Sequence, residues 1–213
     1  MRPVSVKICG LSTEPTLDAA LESGADLVGF VHFPKSPRHV SLERAGALSR
    51  QAGGRVQRVV LLVDPDDALV TAAVEAISPD LIQLHGHESV ERVAAIRRLS
   101  GRPVMKAIGV AAASDLAAVP AYAAVADRIL LDAKPPKDAV LPGGNGLVFD
   151  WALIAQATLP TDWMLSGGLT ANNVRDALLL TGTPALDVSS GVESAPGTKD
   201  PAAIAAFIKA ARG

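Results

Sequence analysis

The chain has 213 residues, 49% of them hydrophobic and 20% charged, with a formal net charge of −2. That is enough apolar side chain for one sizeable core, and the balance of charge gives no electrostatic reason to expect nucleic acid or an anionic membrane as a partner. No run of about 18 uninterrupted apolar residues exists, the opening MRPVSVKICG lacks a signal-peptide core, and the single cysteine excludes an internal disulfide, so a cytoplasmic protein is expected.

In chain order, β-rich runs predict strands near Val4–Cys9, Leu27–Val31, Gln57–Val63, Leu81–His85, Val104–Ile108, Arg128–Asp132, Trp163–Leu165 and Ala185–Val188. Each is followed by a turn and a stretch with helical spacing: Thr16–Ser23, Ser41–Ala52, Asp66–Ser78, Ser89–Ser100, Ser114–Tyr122, Trp151–Ala157, Asn173–Leu180 and Pro201–Ala211. Ser41 and Asp66 read as N-caps, and Pro201 after Asp200 suits a first helical turn. In the third helix Leu69, Ala72, Ala73, Ala76 and Ile77 form the expected apolar stripe. Eight even strand–helix units suit parallel strands joined by crossovers and closed into a single (β/α)8 TIM barrel spanning residues 1–213. An open doubly wound sheet is the weaker fit to that count.

Such a barrel does its chemistry where strands end and helices begin. Those ends hold Cys9, the loop HFPKSPRHV, LHGHE, the long DAKPPKDAVLPGGNG, SGGL and SSGVESAPGTKD. Gly167 and Gly168 allow close approach of backbone to a ligand, and Ser189, Ser190 and Gly191 add donors in the next loop. Tight turns alone would account for either glycine loop, but together, after strands seven and eight, they predict a phosphate site and a small phosphorylated substrate. Asp132 ends its strand with no immediate helix to cap, which favours a general acid. Arg38, on a loop stiffened by Pro34 and Pro37, has the planar fork that suits a carboxylate. Asp187 shares strand parity with Ser189 and is placed either to accept from ligand hydroxyls or to neutralise a buried cation. His85 shares parity with Gln83 and is expected at the substrate. His85 and His87 lack a partner cluster, so no metal is predicted.

Ser5, Lys7 and Cys9 share one strand parity, which sends Lys7 into the barrel one layer below Cys9. Lys106, Arg128 and Asp187 are candidates for the same interior charged network, since buried charges must be paired. The cysteine itself reads three ways from its position: packing, metal ligand or reactive group.

The motifs KICGL, GFVHFPKSPRHV, QLHGHE, LLDA, PGGNGLVFDW, LSGGLTANNV and LDVSSGVESAPGTKD, in this order, resemble those of the phosphoribosylanthranilate isomerases of tryptophan biosynthesis, from Lys7 to Asp200. The resemblance implies an eight-stranded barrel and a cofactor-free Amadori rearrangement of an aminoaldose phosphate to a ketose. It implies Cys9 as general base and Asp132 as general acid. Arg38 is then expected near the anthranilate carboxylate, Asp187 near the sugar hydroxyls and the glycine loops at the phosphate. A monomer or homodimer is compatible with it. Two positions depart from the family pattern: Asn145, where threonine is usual, and His87, where aspartate is common. Rival barrel enzymes fit less well. A histidine-pathway isomerase would carry an aspartate pair at strands one and five, and a pentose-phosphate epimerase would carry metal ligands. A non-catalytic phosphate binder would keep the glycine loops with the acid–base pair idle.

Overall fold

The computed structural model describes residues 4–134, 150–155 and 157–213. The predicted β-rich runs are the strands β1 (Ser5–Cys9), β2 (Leu27–Val31), β3 (Gln57–Leu62), β4 (Leu81–Leu84), β5 (Val104–Val110), β6 (Arg128–Ala133), β7 (Trp163–Leu165) and β8 (Ala185–Val188). They pair in parallel in chain order, and β8 returns to β1, closing a (β/α)8 TIM barrel. Asn145 and most of the long loop after β6 lie outside the described residues.

The period-2 alternation of each strand splits its side chains between two cores. One set points inward, where Leu27, Val59, Leu81, Met105, Leu130, Met164 and Ala185 fill the interior. The other set, including Val6, Ile8, Val28, Phe30, Ile82 and Leu131, packs against the helices. These are α1 (Glu14–Glu22), α2 (Leu42–Ala52), α3 (Asp67–Ile77), α4 (Val90–Ser100), α5 (Val119–Ala123), α6 (Ala152–Ala155), α7 (Val174–Thr181) and α8 (Pro201–Arg212). Ser41 and Asp66 cap α2 and α3 as expected, accepting from Arg44 N at 3.0 Å and Leu69 N at 2.8 Å. On α3 the fully buried line is Val70, Ala73 and Ile77, with Leu69 only partly covered.

Two elements differ from the expectation. The fifth helical unit is a 3-10 segment (Ala113–Ala118) followed by the short α5, because Pro120 lacks an N–H and fits only a first turn. A hairpin that the sequence reading did not anticipate, β9 (Glu193–Ala195) and β10 (Thr198–Lys199), stands between β8 and α8. Its tip is Pro196–Gly197, with Gly197 at φ +82°, the conformation a Pro–Gly turn takes.

Lys106 and Arg128 do not join the interior network. Lys106 alternates with the inward Met105 and Ala107, so it points to the helix layer, where Nζ meets Glu88 Oε2 at 2.6 Å and Gly86 O at 2.7 Å. Arg128 lies at the N-terminal end of β6 and reaches Asp162, with Nε to Oδ1 at 2.6 Å. Glu88 also accepts from Asp64 N at 2.9 Å and Gly86 N at 3.1 Å, which ties the loops after β3 and β4 together. Both partners of the Lys106–Glu88 pair are buried, so removing one charge leaves the other uncompensated. Lys106→Met is expected to cost about 3 kcal/mol or more in urea unfolding, whereas breaking the exposed Arg44–Glu14 pair should leave the midpoint nearly unchanged.

Candidate active site

Cys9 and Asp132 occupy the C-terminal ends of β1 and β6, so closure of the barrel puts both on the same mouth, 3% and 4% exposed. Strand parity turns Cys9 inward beside Val31 and Leu61. Lys7, two residues earlier on the same face, is fully buried, and its Nζ donates to Asp187 Oδ1 at 2.8 Å across the β1–β8 pairing. Asp187 therefore meets the second of its two readings: it neutralises a buried cation. Its other oxygen lies 3.4 Å from Ser166 Oγ. Room for the lysine comes from β2, where the residue paired with Cys9 is Gly29. A Cβ there would stand 3.1 Å from Cys9 Sγ and 3.2 Å from Lys7 Nζ.

This setting pulls the thiol both ways. Burial pushes the Cys9 thiol above its ordinary range and the Asp187 charge adds to that, while the ammonium groups of Lys7 and Lys199 oppose it without cancelling it. For Lys7, burial works against the ammonium, yet Asp187 and Cys9 outweigh it and hold its pKa above the usual value.

Asp132 is fixed at both oxygens. Oδ1 accepts from Ala133 N at 2.9 Å, and Oδ2 lies 3.1 Å from His85 Nε2. Gln83 Nε2, at 2.8 Å, donates to His85 Nδ1, which leaves the ring hydrogen on Nε2, facing Asp132. His85 thus reaches the candidate acid through its own side chain. His87 points away instead, its exposed ring 3.4 Å from Asp64 Oδ2 and its backbone N–H donating to Asp64 Oδ1 at 2.6 Å, so the two histidines of HGH do not converge. Among the described residues no group of three or more His, Cys, Asp or Glu is arranged to hold a metal ion.

Loops seven and eight abut one another. Gly167 (φ +92°) and Gly168 (φ +63°) need the left-handed conformation, and a Cβ on Gly167 would come within 2.6 Å of Ala133 N. A side chain on Gly191 would run into the Leu169 carbonyl. Ser190 opens a single 3-10 turn, Ser190–Val192. The Ser189 hydroxyl is committed elsewhere, donating to the Cys9 carbonyl at 3.1 Å and accepting from Lys199 Nζ at 3.1 Å.

Arg38 is buried, not a solvated loop residue, at 6% exposure. Glu193 takes its Nε at 2.7 Å and Nη2 at 2.9 Å, a bidentate pair that fixes the guanidinium plane. Glu193 and Lys199 are site-proximal residues that the sequence reading did not single out. The Pro–Gly turn inside ESAPGTK was the signal that a hairpin would place them there.

Comparison with known proteins agrees with this architecture. Residues 6–210 match the family described as N-(5'-phosphoribosyl)anthranilate (PRA) isomerase. An N-(5'-phosphoribosyl)anthranilate isomerase of Azorhizobium caulinodans is 64% identical over 98% of this chain and 92% of its own length. The crystal structure of the Thermotoga maritima phosphoribosyl anthranilate isomerase superposes with a TM-score of 0.89 at 38% identity, covering 99% of both chains. A phosphoribosyl anthranilate isomerase in complex with reduced 1-(o-carboxyphenylamino)-1-deoxyribulose 5-phosphate matches at TM-score 0.84 and 36% identity, again over 99% of both chains. With its barrel and nearly its whole length in common with these enzymes, the chain belongs to the N-(5'-phosphoribosyl)anthranilate isomerase family.

Proposed function

We propose that the chain carries out the family's isomerisation, from N-(5'-phosphoribosyl)anthranilate to 1-(2-carboxyphenylamino)-1-deoxyribulose 5-phosphate, with Cys9 as general base and Asp132 as general acid. One observation carries the assignment: a thiol and a carboxyl face the same barrel mouth, each with its own polar support, Lys7–Asp187 behind Cys9 and His85–Gln83 behind Asp132.

The reaction needs two proton transfers at neighbouring parts of one substrate. Asp132 in its acid form gives a proton to the furanose ring oxygen as the C1′–O bond breaks, and the nitrogen lone pair completes a Schiff base. The cationic imine acidifies the hydrogen on C2′. Cys9 as thiolate removes it, leaving an enolamine that tautomerises to the ketone. The substrate's own nitrogen is the electron sink for this sequence. Oδ1 accepts from the Ala133 N–H and Oδ2 from His85 Nε2, and the two contacts fix the plane of the carboxyl that gives the proton.

The rest of the mouth serves binding in this reading. Gly167, Gly168, Ser190 and Gly191 hold the phosphate by close backbone approach, with Ser189 anchoring the end of β1. Arg38, its plane set by Glu193, takes the anthranilate carboxylate. Asp187 serves the sugar hydroxyls through the oxygen not engaged with Lys7. The whole chain acts as one barrel unit, and a cytoplasmic setting suits a base that works only as a free thiol.

Cys9→Ser changes one atom and removes an ionisable thiol. It should fold and bind product, while kcat, followed as loss of substrate fluorescence, falls by roughly 10² or more. Because the thiol sits above its ordinary range, kcat/KM of the wild type should still be rising where an ordinary thiol is already ionised, and that limb should be missing from Cys9→Ser. Wild-type turnover in Cys9→Ser would make the cysteine a packing residue.

Asp132→Asn keeps the shape but has no proton to give. It is expected to lower kcat by about 10²–10⁴ with product affinity largely kept; full activity would remove Asp132 from the mechanism.

A further inference from the structure

Apart from the hold of Glu193 on Arg38, the mechanism gives no work to the two charged side chains that the β9–β10 hairpin brings to the barrel mouth. Glu193 and Lys199 are nearly inaccessible there. Taking an ammonium and a carboxylate out of water is costly, and an apolar pair of similar volume often serves stability as well. A staple for the hairpin therefore does not by itself call for charge.

Their contacts lead to the functional groups. Lys199 Nζ donates to Glu193 Oε1 at 2.7 Å, to the Ser189 carbonyl at 2.8 Å and to Ser189 Oγ at 3.1 Å. Ser189 Oγ in turn donates to the Cys9 carbonyl at 3.1 Å. On its other side Glu193 grips Arg38 through Nε and Nη2, and Oε2 also accepts from Gly197 N at 3.2 Å. Arg38 lies along the backbone next to Cys9: a Cβ on Gly10 would come within 2.8 Å of Arg38 Cδ. One hydrogen-bonded path thus runs from Arg38 through Glu193, Lys199 and Ser189 to Cys9.

We propose that Lys199 is a positioning residue for Cys9, its buried ammonium holding the end of β1 and favouring the thiolate, and that Glu193 is a positioning residue for Arg38. The proposal rests on the reading of Cys9 as base and Arg38 as carboxylate binder, and adds the device that serves both. The charged groups facing Cys9 are Lys7 on its own strand, Asp187 from β8 and Lys199 from β10, with Arg38 lying against the adjacent Gly10. Strands β2 and β3 face it with Gly29, Val31 and Leu61. Asp187 is paired with Lys7, and Glu193 is shared between Lys199 and Arg38, so Lys199 is the cation that the hairpin adds to the field at Cys9. Burial pushes Lys199 itself below the usual lysine range, and Glu193 works against that loss.

The single cysteine makes the test direct. Thiolate ultraviolet absorbance is titrated in the wild type, Lys199→Met, Lys199→Gln, Lys199→Arg and Glu193→Gln, with Cys9→Ser as the blank, alongside kcat and KM. In Lys199→Met the midpoint of the thiolate titration should move up by about 0.5–1 pH unit, with kcat at neutral pH falling about three- to tenfold and KM changing less. Lys199→Arg should recover most of the loss. Glu193→Gln should raise KM more than it lowers kcat, because Arg38 loses its bidentate anchor. An unchanged thiolate titration in folded Lys199→Met, or in Lys199→Gln should the methionine variant fail to fold, overturns the role of Lys199. An unchanged KM in Glu193→Gln overturns that of Glu193. Wild-type turnover in Cys9→Ser would instead sink the functional reading, and the thiolate titration would still report on Lys199.

Discussion

A charged ammonium inside a barrel has to be matched by a neighbour in the same layer, and the pairing of Lys7 with Asp187 meets that requirement. Much else follows from it. β8 must close on β1 in the register that sets Lys7 opposite Asp187. β2 must present glycine where a side chain would strike both Lys7 and Cys9. The thiol above then sits in a field set by an ion pair instead of an apolar floor. The interior of this barrel is therefore two materials: aliphatic layers at the N-terminal end and charge beneath the mouth.

The two proposed reacting groups receive different support. Asp132 is held by hydrogen bonds to a backbone amide and to a histidine whose tautomer Gln83 fixes, so its geometry is constrained more than its charge. Cys9 is governed mainly by electrostatics: burial and Asp187 oppose the anion, and two lysines favour it. That contrast suits their tasks. An acid must aim at one oxygen, whereas a base on a soft sulfur needs its charge supported.

What could be read from the sequence was whatever depends on local period. Alternation along β1 and β8 was enough to turn Lys7 and Asp187 toward the interior, the parity of His85 with Gln83 pointed the same way, Asp132 stood out at a strand end with no helix to cap, and Ser41 and Asp66 declared their caps. Lys106 went astray because its charge was weighed before its parity, although Met105 and Ala107 on either side already claimed the inward positions. The burial of Arg38 was out of reach for a different reason. Its partner Glu193 lies 155 residues along the chain, on a hairpin whose only local trace is Pro196–Gly197. The engagement of the Ser189 hydroxyl with Cys9 likewise depends on barrel closure, which no window along the chain contains.

The bond between Lys7 and Asp187 spans 180 residues, and Ser189, Glu193 and Lys199 come still later. On the ribosome the first strand is therefore made long before anything that neutralises its lysine. Contacts of such sequence separation form late and slowly, and vectorial synthesis orders them from the N-terminus onward. Until the eighth strand emerges, an early barrel fragment has every incentive to keep Lys7 in water and its sheet open. The last unit to be translated thus licenses the first to become interior, and the Cys9 thiol acquires its surroundings only when the eighth strand and its hairpin are in place.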